Sequence, residues 1–235
     1  GARAIAAAPG LALAGVEAFE GLLPDTAQVD AFLDTLTAVA RACAAEGLFG
    51  GVEEVLLTAG GTAFFDRIAP RFAAAGELGR PVRRVLRSGC YLTQDNLGYA
   101  DAYARMRREA ALRFPPGDLE PAMEVWTMVQ SVPEARLAIL TCGKRDAGFD
   151  TGWPVPLRRF RPGEDSAPQA FGAFHKITGM NDQHAYLVGP AEGLLRVGDL
   201  VCLGIGHPCS TFDRWPVLPL VDDELTVVGA VRTFF

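Results

Sequence analysis

The first 113 residues alternate short apolar runs with segments of helical periodicity, and this alternation restricts the possible folds more than any other feature. Val52–Leu57 is typical of a buried strand, and Val82–Leu86 is interpreted as a further strand. Apolar residues recur at helical spacing from Val29 to Cys43, after a possible cap at Asp25. Leu11–Phe19 is interpreted as the first strand, and the residues before it as part of that strand rather than as a signal peptide. This order predicts consecutive βα units around a parallel sheet.

The pattern changes after Phe114–Asp118, a turn-rich segment with two prolines and a glycine. Short β-type runs follow, separated by Gly, Pro and Asp, and helical periodicity is absent. We therefore predict two domains, residues 1–113 and residues 114–235, the second a compact antiparallel sheet or barrel. The predicted strands are Met123–Ser131, Leu137–Cys142, Ala170–Ile177, His184–Val188, Leu200–Ile205, Val217–Val221 and Leu225–Val231.

Composition excludes several functional classes. The net charge of −6 argues against a nucleic-acid-binding protein. No apolar run approaches the roughly 18 residues that a membrane-spanning helix needs. The five cysteines form no spacing pattern, which favours a reducing compartment such as the cytoplasm.

The segment His207-Pro208-Cys209 is the sharpest chemical signal. A histidine and a cysteine two positions apart on an extended segment would point to the same side of the chain. Imidazole nitrogen and thiolate sulfur together suit zinc better than magnesium or calcium. A buried cysteine beside a hydrogen-bonded histidine would explain the same pattern, and both interpretations remain open at this point.

Two loops that follow predicted strands could bind an anion. Thr58–Thr62 contains Gly60 and Gly61 just before a helix, where backbone N–H groups attract phosphate. Arg87–Tyr91 follows the next strand and could add further donors. Tight βα turns also contain glycine for steric reasons alone, so this signal is weak without other support.

Several other polar residues are candidates for a site. Glu17 and Glu20 lie near the end of the first predicted strand, where a barrel would place a catalytic carboxylate or a structural ion pair. His184 ends the polar turn Met180–His184 and could face the same cavity as His207. The charged segment 143–150 is either a solvated loop or a salt-bridged one that faces the site.

Four motifs occur in a recognisable order: Gly-Gly-Thr, Arg-Ser-Gly-Cys-Tyr, Met-Asn-Asp-Gln-His and Gly-His-Pro-Cys-Ser-Thr-Phe-Asp-Arg-Trp. Together they resemble the pyridoxal-phosphate-dependent D-serine dehydratase and D-threonine aldolase family. The resemblance spans the chain and is most specific at His207–Trp215. It implies an alanine racemase-like fold, in which residues 1–113 form part of a TIM-type (β/α) barrel and an antiparallel β-domain follows.

The resemblance also implies roles for individual residues. It makes His207 and Cys209 the ligands of a zinc ion that touches the substrate hydroxyl, and it makes His184 and Glu17 candidate catalytic residues. The implied reaction is the dehydration of D-serine to pyruvate and ammonia, and the implied assembly is a homodimer. An aldolase of the same family, or a non-catalytic metal- or ligand-binding remnant, is the alternative, and a racemase is disfavoured by the His-X-Cys pair. The implied pyridoxal phosphate contacts are Gly60, Gly61, Thr62, Cys90 and Tyr91.

The chain departs from the family in one important respect. The family's Schiff-base lysine ends the first barrel strand, and the only two lysines here, Lys144 and Lys176, lie in the predicted β-domain. A complete barrel has eight βα units and about 250 residues, whereas residues 1–113 contain three units. We therefore expect the chain to be the C-terminal part of a longer enzyme and to be inactive by itself.

Overall fold

The computed structural model describes residues 1–109, 119–190 and 195–235. Within these ranges the chain forms two compact units. The first holds Gly1–Tyr91 and residues 101–109, and the second holds Leu92–Ala100 and the described residues from 119 onward. The boundary predicted between residues 113 and 114 lies outside the described residues.

Three parallel strands alternate with helices in the first unit, as predicted. The elements are α1 (Ala2–Ala7), β1 (Gly15–Glu17), α2 (Thr26–Ala45), β2 (Val55–Ala59), α3 (Phe65–Ala74), β3 (Val82–Leu86) and α4 (Gly98–Glu109), of which α4 begins in the second unit. The strands pair in the order β1-β2-β3. Gly15 lies opposite Leu56, and Val55 lies opposite Val82.

Helix α2 covers this sheet because its apolar residues form one face. Asp25 caps the helix by accepting a hydrogen bond from the backbone N–H of Gln28 at 2.9 Å. The buried stripe packs with β2 and α3, and burial of each large apolar side chain stabilises the fold by about 1.5–3 kcal/mol. The fully buried residues of this core include Val29, Leu33, Ala40, Leu57 and Ile68.

Two expectations for the first unit are wrong in detail. The opening residues form the helix α1 instead of the start of a strand, because the alanine-rich segment Ala2–Ala7 has a high helix propensity. The first strand is accordingly limited to Gly15–Glu17.

The second unit is built around a seven-stranded antiparallel sheet, which confirms the predicted sheet type. Its elements are β4 (Glu124–Glu134), β5 (Leu137–Leu140), β6 (Val155–Phe160), β7 (Gln169–Ala170), β8 (Lys176–Met180), β9 (Ala185–Val188), β10 (Leu200–Gly204), the one-turn helix α5 (Cys209–Phe212), β11 (Val217–Val221) and β12 (Val227–Arg232). The strand order is β7-β6-β10-β4-β5-β9-β8, and β11 and β12 form a separate hairpin. The fully buried residues of its core include Val129, Leu140, Leu187, Val201 and Leu203.

The sequence pattern failed at two places in this sheet. The predicted strand Ala170–Ile177 is two strands, β7 and β8, which lie at opposite edges of the sheet. A turn at Gly172, whose carbonyl accepts the N–H of His175, separates them. Strand β6 was not predicted because Val155–Phe160 contains a proline and two arginines. Those arginines are paired: Arg158 contacts Glu124, and Arg159 contacts Asp165.

A buried ion pair joins the end of β6 to the segment before β10. The guanidinium of Arg161 donates two hydrogen bonds to the carboxylate of Asp199, at 2.7 and 2.9 Å. Asp199 is only 2% exposed, and it also accepts the backbone N–H of Arg196 at 2.7 Å. Burial alone would raise the pKa of Asp199, but these hydrogen bonds outweigh it and lower the pKa.

None of the helices in the described ranges is long and apolar enough to cross a bilayer. No disulfide joins any of the five cysteines, all of which lie within those ranges.

Replacement of Asp199 by asparagine should reduce the free energy of unfolding by about 3–5 kcal/mol, because it removes the buried carboxylate that pairs with Arg161 and leaves that guanidinium beside the exposed Glu164. The exposed pair of Arg3 and Glu46 provides the control, and Glu46→Gln should leave the free energy of unfolding nearly unchanged. Because the folded-state pKa of Asp199 is lowered, its contribution is complete above the unfolded value of about 3.9 and is lost as the pH falls below it. Urea denaturation of both variants and of the parent chain across this pH range would measure these effects, and equal losses in both variants would contradict the assignment.

Candidate functional site

Three strands of the second unit end at the same edge of its sheet. Neighbouring strands are antiparallel, so β5, β8 and β10, which are separated by one or three strands, all run in the same direction. The segments that follow them are the loop 143–151, the turn 181–184 and the segment that contains His207. Topology therefore brings three of the predicted polar motifs to one edge.

The predicted metal ligands lie on the segment that follows β10. A ring nitrogen of His207 and the sulfur of Cys209 approach within 4.8 Å of each other. Cys209 is exposed, and His207 is partly buried. The expected extended backbone is wrong, because Pro208 has helical angles (φ −57°, ψ −45°) and Cys209 begins α5. The first turn of this short helix brings the two ligand groups together instead.

The His207 ring, Asp150 and Ser210 form a hydrogen-bonded group within the second unit. Nδ1 of His207 lies 2.6 Å from Oδ2 of Asp150. Oδ1 of Asp150 accepts a hydrogen bond from the hydroxyl of Ser210 at 2.9 Å. Partial burial opposes the charge of Asp150, but the hydrogen bonds from His207 and Ser210 outweigh it and lower the pKa of Asp150.

The turn 181–184 and the loop 143–151 are held together by their backbones. The N–H of Lys144 donates to the carbonyl of Asn181 at 2.8 Å. A Cβ atom at Gly143 would lie 2.4 Å from the carbonyl oxygen of Asp182, so this approach requires glycine. The two segments line a cleft of 370 Å³, formed by Lys144, Asn181, Asp182, Gln183 and His184. His184 thus lies in a polar cleft, and His207 and Cys209 are not among its lining residues.

The glycine turn of the first unit already holds an anionic group. The carboxylate of Glu20 accepts the N–H of Gly61 at 2.6 Å and that of Gly60 at 3.2 Å. Glu20 is completely buried. The turn therefore binds an anion, as its sequence indicates, but that anion is the protein's own side chain.

The other residues predicted in the first unit have different environments. Thr62 and Cys90 are buried, whereas Tyr91 is 40% exposed and its ring contacts that of Phe65. Glu17 accepts a hydrogen bond from the Arg87 guanidinium at 2.5 Å. The structure thus places Glu17 in an ion pair, one of the two environments considered for it.

Asp95 is a further residue of this region that no sequence pattern indicated, and its carboxyl group interacts electrostatically with His207. Asp95 is 3% exposed and accepts the N–H groups of Leu97 and Tyr99 at 2.9 and 3.0 Å, immediately before α4. Burial raises the pKa of Asp95, although these hydrogen bonds and the charge of His207 oppose the increase. An aspartate that precedes a helix is a recognisable capping signal, but nothing in that signal indicates proximity to His207.

Comparison with known proteins identifies relatives for this arrangement. Residues 122–221 match the family model described as "Putative serine dehydratase domain". The chain is 27% identical over 227 residues to 3-hydroxy-D-aspartate aldolase of Paracoccus denitrificans (strain Pd 1222), which covers 92% of this chain and 50% of that protein. The chain spans about half the length of the curated relatives it matches. These matches confirm the family resemblance.

Solved structures show the same fold. The D-threonine aldolase of Filomicrobium marinum superposes with a TM-score of 0.64 at 22% identity and covers 97% of this chain and 54% of that one. The D-threo-3-hydroxyaspartate dehydratase of Delftia sp. HT23 gives 0.57 at 16% identity, with 93% and 55% coverage. An alanine racemase-like protein of Idiomarina loihiensis also gives a TM-score of 0.57 at 16% identity, and the match covers 93% of this chain and 55% of that one. The fold is therefore alanine racemase-like, with a parallel β/α part followed by an antiparallel sheet.

Two solved variants of a D-threo-3-hydroxyaspartate dehydratase also have this fold. One replaces a histidine, and the other replaces a cysteine two positions further along the chain. The cysteine variant is described as a metal-free form.

Replacement of Glu20 by glutamine should reduce the free energy of unfolding by about 1–3 kcal/mol, because one of the two N–H groups of Gly60 and Gly61 then faces an amide NH₂ instead of an acceptor. Glu17→Gln breaks only the more exposed pair with Arg87 and should cost no more than about 1 kcal/mol. Urea denaturation would compare the two variants, and equal stability of Glu20→Gln and the parent chain would show that the buried hydrogen bonds are unimportant.

Replacement of Asp95 by asparagine should raise stability at pH 7. Asparagine keeps an acceptor for Leu97 and Tyr99, whereas the aspartate charge is disfavoured by burial. Because the pKa of Asp95 is raised on folding, this advantage should appear as the pH rises above the unfolded value of about 3.9 and should vanish below it. Asp95→Ala removes the cap and should instead cost about 1 kcal/mol. Thermal unfolding of metal-free protein between pH 3 and 8 would test both, and a destabilised Asp95→Asn variant at pH 7 would refute the expectation.

Proposed function

We propose that this chain supplies the metal site of a zinc- and pyridoxal-phosphate-dependent lyase acting on D-hydroxy-amino acids, because residues 122–221 match the model of the serine dehydratase domain family. The observation that supports this proposal most directly is the approach of His207 and Cys209 within 4.8 Å. The spacing of the two residues replaced in the dehydratase variants, which is the same as that of His207 and Cys209, supports it further.

The donor atoms of the second unit fit zinc. A carboxylate only accepts hydrogen bonds, so the Nδ1 that contacts Asp150 holds the proton, and Nε2 is the nitrogen with an available lone pair. Nε2 of His207 and the thiolate of Cys209 would hold the ion, since this nitrogen–sulfur set is typical of zinc. Zinc, when bound, supplies a Lewis acid that polarises the substrate hydroxyl and favours its departure.

Pyridoxal phosphate enters the proposal through the family resemblance, together with the TIM-type barrel to which β1, β2 and β3 would belong. The Gly60–Gly61 turn does not fit a phosphate group as it stands, because both N–H groups donate to Glu20. Both lysines lie in the second unit, Lys144 after β5 and Lys176 at the start of β8. Neither lysine ends a strand of the first unit, so the proposal includes no Schiff-base lysine from this chain.

The proposed reaction is the dehydration of D-serine to pyruvate and ammonia. The thiolate of Cys209 favours a dehydratase, since an oxygen ligand would suit the harder metals better. The second candidate is an aldolase that breaks the Cα–Cβ bond, and the name of the Paracoccus relative favours it. A non-catalytic metal-binding protein is the third.

Assays on the longest natural polypeptide that contains this sequence would decide among the three. Zinc-loaded protein with pyridoxal phosphate is expected to release pyruvate from D-serine, measured by coupled lactate dehydrogenase. Aldehyde release from D-threonine without pyruvate release would identify the aldolase. Neither product from D-serine, D-threonine or 3-hydroxy-D-aspartate, with zinc bound, would favour the non-catalytic protein.

Zinc binding can be tested on the chain itself. Purified protein loaded with zinc and desalted should retain one zinc ion per chain, and His207→Ala or Cys209→Ala should abolish retention. His184→Ala provides the matched control, because His184 lies in the cleft beside Lys144 and should not affect the metal. Elemental analysis would give the stoichiometry, and retained zinc in Cys209→Ala would remove the basis of the proposed function.

The predicted homodimer and the cytoplasmic location also remain proposals. The β11–β12 hairpin and the residues after it expose several large apolar side chains, as interaction surfaces do. The most exposed of them are Val227, Val228, Phe234 and Phe235. Sedimentation should give twice the chain mass of 25.0 kDa, and a monomer at all concentrations would contradict the dimer.

A further inference from the structure

Asp150 occupies a position between His207 and Ser210 that the family comparison does not explain. One of its carboxylate oxygens contacts Nδ1 of His207, and the other accepts the Ser210 hydroxyl. We propose that Asp150 is a positioning residue: it holds the proton of His207 on Nδ1 and orients the ring so that Nε2 faces the metal. This inference rests on the proposed metal site.

The hydrogen bond has the geometry that this role requires. At 2.6 Å it is short for an N–H···O contact, as charge-assisted hydrogen bonds are. Without a carboxylate partner, the imidazole proton could occupy either nitrogen and the ring could turn about its side-chain bonds. Metal-binding histidines in proteins commonly donate their second N–H in this way, which fixes the tautomer and increases the basicity of the ligand.

Residues on both sides of Asp150 are hydrogen-bonded to residues on both sides of His207. The N–H of Gly148 donates to the hydroxyl of Thr211 at 3.0 Å, and the hydroxyl of Thr151 donates to the carbonyl of Gly206 at 2.7 Å. The hydroxyl of Thr211 also donates to the carbonyl of His207 at 3.0 Å. These hydrogen bonds fix the backbone that carries Asp150, and they therefore fix the position of its carboxylate beside the ring.

Gly148 shows how close this loop lies to the segment that contains His207. A Cβ atom at this position would lie 2.3 Å from the hydroxyl oxygen of Ser210 and 2.9 Å from the carbonyl oxygen of His207. Any larger residue would push the loop away from the ring, so glycine at position 148 is a condition for the contact between Asp150 and His207.

A role in overall stability does not account for the contact. The side chain of Asp150 is 53% exposed and that of His207 is 26% exposed. Surface pairs of this kind contribute little to the stability of the fold. The consequence of the contact should therefore appear in metal binding and in the state of the ring, and hardly in unfolding.

The first test measures zinc affinity. Asp150→Asn should weaken zinc binding by about 10–100-fold, measured by competition with a chromophoric chelator. Ser210→Ala, which leaves the carboxylate but removes its anchor, should give a smaller loss in the same direction. Asp213→Asn provides the matched control, because Asp213 is 50% exposed, forms an ion pair with Arg214, and lies on the same segment. The control should bind zinc like the parent chain.

The second test examines the ring without metal. In the ¹⁵N spectrum of metal-free parent chain at pH 8, His207 should show a protonated Nδ1 and an unprotonated Nε2. In Asp150→Asn the two tautomers should mix, while the signals of the other two histidines, His175 and His184, should not change. This readout would not respond to a purely structural role of Asp150.

The outcomes separate the two proposals. If the parent chain does not bind zinc, the proposed function fails, and the tautomer of His207 still decides whether Asp150 positions the ring. If the parent chain binds zinc but Asp150→Asn binds it within twofold of the same affinity, or if the tautomer is the same in both, the positioning role is overturned.

Discussion

The geometry of the candidate metal site depends on the pairing of one interior strand. Strand β10 is hydrogen-bonded to β6 on one side and to β4 on the other, and Val201, Cys202 and Leu203 are completely buried. The ladder continues one residue further, where the carbonyl of Ile205 accepts the N–H of Asn96. A strand paired on both sides cannot shift without leaving buried backbone groups unsatisfied. The backbone that leads to His207, two residues after Ile205, is therefore held in place.

The loop 143–151 is hydrogen-bonded to the other two polar segments at the same edge of the sheet. It is hydrogen-bonded to the turn 181–184 through the N–H of Lys144 and to the segment 206–215, which contains His207, through Gly148 and Thr151. The indole N–H of Trp215 donates to the carbonyl of Asp146 at 2.7 Å and holds the loop from the far end of that segment. The same loop therefore holds both the polar cleft around His184 and the segment that carries His207 and Cys209.

The sequence predicted what depends on local periodicity and missed what depends on pairing between distant segments. The capped helix α2 and the strand Val55–Ala59 followed from apolar spacing, because the helix buries one face and the strand buries every second side chain. Strand β6 did not, since its arginines are acceptable in an interior strand only because Glu124 and Asp165 neutralise them. The pair of His207 and Cys209 was identified by its chemistry although its backbone was misjudged. Asp150, 57 positions earlier in the chain, had no local pattern to distinguish it from a solvated loop residue.

The two predicted cofactor sites differ in whether their donor groups are already engaged. In the first unit, Glu20 is buried and takes both N–H groups of the glycine turn, so a phosphate group could bind there only by displacing a carboxylate that these groups already satisfy. In the second unit, the hydrogen bond to Asp150 engages Nδ1 of His207, and a nitrogen of the same ring lies within 4.8 Å of the sulfur of the exposed Cys209. The first arrangement resists an added ligand, whereas the second prepares for one. Because Asp150, His207 and Cys209 all lie in the second unit, binding of a metal by His207 and Cys209 should not require the glycine turn of the first unit.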